Sequence, residues 1–501
     1  MGILLALDAG TSSCRTVAFD LTGRPQSQSQ QELTQHYPRA GWVEHDPLEI
    51  RDLQMQTLRA VLQDLGDRAS EVVGVGITNQ RETIVVWDLA TGEPIYNAIV
   101  WQDRRTTEAM AALHAETGVA EMVQQRTGLV LDPYFSASKL KWVLDHVNGA
   151  RAAAAAGKLA FGTVECWLLW SLTGGQRHAT DVSNAARTML YDIDRMCWDD
   201  QLLAMFNIPA AMLPEVVPCS GVFGEIDGLG GIAVQGMIGD QQSALFGQGC
   251  LSAGEAKTTY GTGCFLLMNT GECRAESSHG LLSTIAWQFG GGEVQYALEG
   301  SVFMGGASIQ WLRDGLKIID TAADVNTLAG SVPDAGGVVL VPAFAGLGAP
   351  EWDAWGRAAI FGMTRGTTDA HIARATLEGI AFSVHDVLAA MEEDSGVSLR
   401  ELRVDGGAAA SDLLMQIQAD VLNTAVLRPQ MLETTAWGAA AMAGLGSGVY
   451  TSVDEIARHW TVDRRFEPAV DADHRAAKLR SWQRAVDRVR GWAKEDDIET
   501  Q

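Results

Sequence analysis

Asp8-Ala9-Gly10-Thr11-Ser12-Ser13 and Tyr260-Gly261-Thr262-Gly263 are two turns of one design, placed half a chain apart. An apolar run leads into each (residues 3–7 and 256–260), and a second apolar run leaves each (16–19 and 264–268). That layout predicts two strand–turn–strand hairpins with tips of glycine and small hydroxyl residues. Glycine lets backbone approach a ligand closely, and successive N–H groups form a concave anion cradle. Thr and Ser add hydroxyl donors. Asp8, just before the first tip, suits a phosphate-bound Mg²⁺, which prefers carboxylate, water and phosphate oxygens. A matched pair of such hairpins predicts two related domains closing on one nucleotide.

One Gly-Thr-Ser turn alone reads as an ordinary hairpin; repetition and spacing give the signal its force. A third glycine turn, Asp405-Gly406-Gly407-Ala408, follows late in the chain. No GxxxxGK[ST] loop is present, and no strand–GxGxxG–helix unit supports a dinucleotide fold.

The 501 residues exceed one ordinary core and predict two or three domains. At 47% hydrophobic and 20% charged, the composition is that of a soluble globular protein. The net charge of −25 disfavours nucleic acid and anionic membranes as partners, so an anionic nucleotide must be held locally by amides, Arg, Lys and Mg²⁺. The 7 cysteines form no CxxC pair and no His/Cys metal spacing, which fits a reducing cytosol. The first residues, Met1 to Asp8, lack the features of a signal peptide, and no apolar run reaches membrane-spanning length.

Strand and helix patterns alternate throughout and predict an α/β protein with largely mixed sheets. Residues 3–7, 16–19, 72–78, 84–87, 159–162, 257–260, 265–268 and 338–341 read as strands. Residues 47–65, 163–172, 302–316, 369–393, 411–422 and 435–445 read as helices, with Ser411 as an N-cap whose helix start suits a phosphate. The alanine run 152–156 reads as an exposed helical segment. A boundary near residue 246 divides the chain into domains 1–246 and 247–501.

Polar clusters follow apolar runs, at the strand ends where open α/β sheets bind ligands. They are Asn79-Gln80-Arg81-Glu82, Trp101-Gln102-Asp103-Arg104-Arg105, Asp132-Pro133-Tyr134-Phe135 and Gly239-Asp240-Gln241-Gln242. Each also has a bland reading. Arg81-Glu82 fits a surface ion pair, Trp101 and Tyr134 fit core or rim, and Asp240 fits an N-cap for residues 242–247. Their recurrence beside the glycine turns favours a site.

Taken with Gly41-Trp42-Val43-Glu44-His45-Asp46-Pro47, Ser308-Ile309-Gln310-Trp311-Leu312-Arg313-Asp314 and Gly346-Leu347-Gly348-Ala349-Pro350, these clusters run nearly the whole chain. In that set the sequence resembles the FGGY family of carbohydrate kinases. The resemblance implies two actin-like (ribonuclease H-like) domains with mixed sheets flanked by helices and the active site in the cleft between them. It also implies phosphorylation of glycerol with ATP and Mg²⁺. It implies that Arg81, Glu82, Tyr134, Asp240 and Gln241 bond glycerol hydroxyls, with Trp101 and Phe265 as apolar walls. It implies that Thr11, Ser12, Ser13 and Arg15 form the first phosphate loop, and that Thr262, Gly306, Gln310, Gly407 and Ser411 line the nucleotide site. Asp8 and Asp240 are the implied Mg²⁺ carboxylates, and Asp240 the implied general base. Cytoplasmic location and a homodimer or homotetramer are implied too.

The sequence departs from the family pattern in places. The first loop reads Asp8-Ala9-Gly10-Thr11-Ser12-Ser13-Cys14-Arg15 where Asp-Gln-Gly-Thr-Thr-Ser-Ser-Arg is common, and Ser411 replaces a frequent Asn. Residues 227–235 lack the Arg of the loop that binds fructose 1,6-bisphosphate in some relatives, so weak or absent inhibition is expected. A sibling kinase for a pentulose, erythritol or another polyol remains an alternative, as does an actin-like ATPase without a small acceptor.

Overall fold

The computed structural model describes residues 2–494; Met1 and residues 495–501, at the outer ends of the domains read from sequence, lie outside the described residues. Two large mixed sheets organise the chain. The first has six strands in the order Ser220–Glu225, Ala233–Gly239, Val72–Asn79, Ile3–Ala9, Ser13–Asp20, Pro25–Glu32. The second has seven, in the order Leu282–Gln288, Val294–Val302, Cys264–Gly271, Glu255–Tyr260, Glu401–Asp405, Val426–Pro429, Val462–Phe466. In each sheet one antiparallel hairpin opens the run, two further strands pair parallel beside it, and an antiparallel strand closes that edge. The sheets therefore repeat one plan. A smaller four-stranded sheet joins Glu44–His45, Ala98–Ile99, Ile84–Asp88 and Leu159–Thr163.

The helix Pro47–Leu65 shows why the local sequence folds as it does. Asp46 caps it by accepting from the Leu48 N–H, Pro47 supplies a preset first turn, and Gly66 ends it at φ 57°. Ile50, Gln54, Thr57, Leu58, Val61 and Leu65 recur at helical spacing on its buried face. Ile50, Leu58, Val61 and Leu65 share one core with Ile3, Leu5 and Leu7 of the central strand. The opposite face of that strand carries Leu4 and Ala6, which pack into a second core with Trp437, Ala439, Ala440 and Ala443. Those residues belong to helix Thr434–Gly446, which lies against the first sheet although it comes from far beyond residue 246. The fit is close: a Cβ on Gly76 would stand 1.9 Å from the Ala439 carbonyl oxygen. Helix Asp369–Ser395 covers the second sheet, with Thr376, Ile380, Val384, Val387 and Met391 buried. Ile372, at the start of the same stripe, is only half-buried.

Four local readings differ from what forms. Residues 302–316 are not one helix: Val302 ends a strand, and the helix runs Gly306–Asp314. Gly305 and Gly306 donate back to the carbonyls of Thr262 and Gly261, which breaks the apolar run into two elements. Asp240 is no N-cap; it is the first residue of helix Asp240–Gly247, with Gly239 at the cap. Strand Pro25–Glu32 was not read at all, because an exposed edge strand of Gln and Ser has no apolar alternation. The alanine run lies partly in helix Ala150–Ala155, where Ala154 is fully buried rather than exposed.

Candidate active site

Three parallel neighbours of the first sheet end together. Asp8 pairs with Thr78 and Ala9 with Asn79, while Gly239 pairs with Asn79 from the other side. Whatever follows these strands is therefore gathered at one sheet end: Gly10 and its hydroxyls, Gln80-Arg81-Glu82, and Asp240-Gln241. Gln80 fastens the first two. Its amide N–H donates to Ala9 O at 2.9 Å, its side chain donates to Gly10 O at 3.1 Å, and its Oε1 accepts from Thr83 at 3.0 Å. Glu82 sits at φ 62°, a left-handed conformation that costs a non-glycine residue of order 1–3 kcal/mol and persists only where surroundings enforce it.

The enforcement is a buried charge network. Arg81 and Glu82 are 3% and 1% exposed, so they form no surface pair. Arg81 donates through Nη1 and Nη2 to Glu299 at 2.6 and 3.0 Å, through Nη1 to Gln242 at 3.0 Å, and lies 3.3 Å from Asp240 Oδ1. Arg187 donates to Glu82 at 2.6 Å and to Glu299 at 3.0 Å. Lys257 donates to Gln241 at 2.5 Å. Burial opposes the charge on Arg81, but Glu299 and Glu82 outweigh it and hold the guanidinium protonated. Burial would raise Glu299 as well, yet Arg187 and Arg81 bring it down to about 2. Asp240 differs from an ordinary carboxylate. Burial pushes it up to about 6, with Arg81 and Lys257 opposing and Glu82 reinforcing. It stays largely ionised at neutral pH, with less margin.

Arg187, Glu299, Gln242 and Lys257 were not singled out from sequence as ligand-facing groups. The usable signal for Lys257 and Glu299 was a charge inside a strand pattern, as in Ala297-Leu298-Glu299-Gly300, whereas Arg187 sits in the turn after helix Val182–Ala185. Register explains their convergence. Lys257 pairs with Leu267, Thr259 with Phe265, Phe265 with Ser301 and Leu267 with Glu299. Paired residues share a sheet face, so Lys257, Phe265 and Glu299 project from one face, towards the first domain. The alternate residues Ala256, Leu266, Met268 and Leu298 fill the core behind.

Trp101 and Tyr134 meet edge-to-face, with ring centroids 5.5 Å apart. The Trp101 indole N–H donates to the Thr11 hydroxyl at 2.9 Å, which ties the aromatic wall to the first glycine turn. The Tyr134 loop is held from below by Lys139, whose buried ammonium donates to the carbonyls of Pro133, Tyr134 and Phe135. Arg187 lies 5.9 Å from the Tyr134 ring centre.

At the first turn Gly10 N–H donates to Ser13 O at 3.0 Å, closing the hairpin tip. Thr11 and Ser13 are half-buried, Ser12 is exposed, and Gln30 donates to the Ser13 hydroxyl. Arg15 is not free: it pairs with Asp8 at 2.7 Å and with Glu433. The second turn closes the same way, Gly261 N–H to Gly263 O at 2.9 Å. Gly306 N–H donates to Gly261 O at 2.8 Å, and a Cβ on Gly406 would lie 2.6 Å from Tyr260 O. Three glycine-bearing backbones, at Gly261–Thr262, Gly305–Gly306 and Gly406–Gly407, thus converge, and Gln310 stands exposed one helical turn beyond Gly306. Ser411 caps helix Asp412–Leu422 by accepting from the Leu414 N–H and donates to Asn326, so its hydroxyl is already engaged. Among the described residues no group of three or more His, Cys, Asp or Glu forms a metal cage. Mg²⁺ carried by a nucleotide needs only one or two carboxylates beside phosphate and water, and Asp8 and Asp240 supply that donor type.

Residues 3–247 match the model of the FGGY family of carbohydrate kinases, N-terminal domain, and residues 256–447 match its C-terminal domain. A glycerol kinase of Dechloromonas aromatica is 57% identical over 493 residues, covering 98% of each chain. One of Symbiobacterium thermophilum is 55% identical over 497 residues, covering 99% of each. The crystal structure of Plasmodium falciparum glycerol kinase with ADP superposes with a TM-score of 0.93 at 36% identity, covering 98% of each chain. With both family domains matched in order across two sheets of the actin-like ATPase plan, the chain belongs to the FGGY family of carbohydrate kinases.

Proposed function

We propose that this chain is a glycerol kinase, transferring the γ-phosphoryl group of ATP to a primary hydroxyl of glycerol to give sn-glycerol 3-phosphate and ADP. The observation that supports it best is the fixed set Arg81, Glu82, Asp240 and Gln241 beside an aromatic corner, at the sheet end that also carries the first glycine turn. Glycerol has three hydroxyls and little apolar surface, so a selective site needs several rigid donors and acceptors, which reject analogues that leave them unpaired. In this reading Arg81 donates, Glu82 and Asp240 accept, Gln241 and Tyr134 complete the hydroxyl contacts, and Trp101 and Phe265 exclude longer polyols.

Phosphoryl transfer is mostly positioning and charge neutralisation. Thr11, Ser12 and Ser13 would donate to phosphate from the first domain, and Thr262, Gly306 and Gly407 from the second, with Gln310 and Ser411 at its margin. Arg15 would exchange a carboxylate partner for phosphate. Asp8 and Asp240 would hold Mg²⁺, which neutralises phosphate charge when bound. Asp240 would take the proton of the attacking hydroxyl as general base. We place the domains at 1–246 and 247–501, and propose a cytoplasmic homodimer or homotetramer; among the described residues no helix is long and apolar enough to cross a membrane. Incubation with Mg·ATP and glycerol followed by phosphorus NMR tests the reading: a single primary phosphate monoester of glycerol is expected, and free inorganic phosphate alone would refute it.

A further inference from the structure

We propose that Glu299, delivered by the second sheet, is a positioning residue for the acceptor site: it fixes Arg81 and Arg187 so that Arg81 and Glu82 meet glycerol in one geometry. The inference rests on the glycerol kinase reading. Arg81 spends both terminal nitrogens on Glu299, at 2.6 and 3.0 Å, a bidentate grip that sets the plane of its guanidinium. Its Nε is what remains beside Asp240, at 3.3 Å. The second oxygen-sharing partner, Arg187, reaches Glu299 at 3.0 Å and Glu82 at 2.6 Å, so Glu299 sets the position of Glu82 through one intermediary. The charged groups Lys257 and Asp240 and the neutral phenol of Tyr134 also face this cluster.

Without the Glu299 charge, two buried guanidiniums share Glu82 and Asp240. Arg81 then turns towards those carboxylates, the groups that glycerol needs as acceptors. The bonds of this network run among Arg81, Glu82, Arg187 and Glu299 and include no residue of the second-domain glycine turns. Loss of Glu299 therefore weakens glycerol much more than ATP, which meets the network only through the Mg²⁺ carboxylate Asp240. A residue that only stabilised the fold would move both substrates together or neither.

The test is steady-state kinetics of wild type, Glu299→Gln and Glu299→Asp, with glycerol and Mg·ATP varied in turn. Glu299→Gln is expected to raise the glycerol KM roughly ten- to a hundredfold, the range of a lost charge-assisted bond, with a far smaller change in the ATP KM. Glu299→Asp, which keeps the charge on a shorter arm, is expected to recover part of the loss. A folded Glu299→Gln with unchanged glycerol KM overturns the proposal, as does a parallel rise in both KM values. If the Gln variant does not fold, the Asp variant decides: a selective rise in glycerol KM supports the role and none overturns it. Wild-type protein inert towards glycerol would instead refute the glycerol kinase reading itself.

Discussion

Asp240 concentrates the chemistry. Burial raises it to about 6, while Arg81 and Lys257 keep it from rising further. In the base role proposed for it, replacing it with Asn removes the proton acceptor but keeps the shape, so kcat should fall by about 10²–10⁴ while ATP binding, read by calorimetry, is retained. Near-normal turnover would remove Asp240 from the base role. The pH dependence follows with a definite sign. The base works deprotonated, so activity is full above its pKa and is lost as pH falls through it. At pH 5 about a tenth of a group with pKa near 6 remains ionised, so kcat/KM should fall about tenfold below its plateau. A flat profile down to pH 5 would contradict the assignment. Arg81, Glu82, Asp240 and Gln241 were legible in sequence because they follow apolar runs directly. Arg187, Glu299 and Lys257 were not, since their convergence depends on strand register and on packing between distant segments.

The helices that aim these groups have little slack. Helix Asp240–Gly247 crosses helix Thr434–Gly446 at glycines: a Cβ on Gly438 would lie 2.0 Å from Ser243 O, and one on Gly247 the same distance from Thr434 O. Gly438→Ala must therefore push Asp240's helix away, at a cost of about 1–3 kcal/mol. A lower melting temperature together with weaker glycerol turnover is the expected result, and unchanged values for both would contradict this account of the contact. Elements such as Pro47–Leu65 were readable because cap, proline, periodic apolar face and terminal glycine agree locally. The edge strand Pro25–Glu32 and the break between Val302 and Gly306 were not, because sheet pairing and the bonds to the Gly261 turn decide them. The loop after Glu225 carries Gly228, Gly230 and Gly231 at positive φ, and residues 227–235 contain no arginine. Adding fructose 1,6-bisphosphate at saturating glycerol should leave the rate unchanged; clear inhibition would show that another cation serves that ligand.

Across the molecule, two sheets of one plan each carry a glycine turn, and side chains from both meet in one polar cluster. The second sheet reaches into the first domain's polar cluster, since its Glu299 and Lys257 bond Arg81 and Gln241. This arrangement couples the acceptor to the assembled pair of domains, and predicts that ATP is spent on glycerol rather than on water. The repeated hairpins were legible because both tips use glycine and hydroxyl residues; their arrangement around an acceptor was carried by family resemblance rather than by local pattern. The most direct measurement is ADP release from Mg·ATP with glycerol, erythritol, xylitol, xylulose or no acceptor. Glycerol should give a kcat/KM above that of every other acceptor, and ADP release at saturating glycerol should run at least about a hundredfold faster than release without an acceptor, the margin expected when a built polar site discriminates. Equal release without an acceptor, or preference for a longer polyol or a ketose, would contradict it.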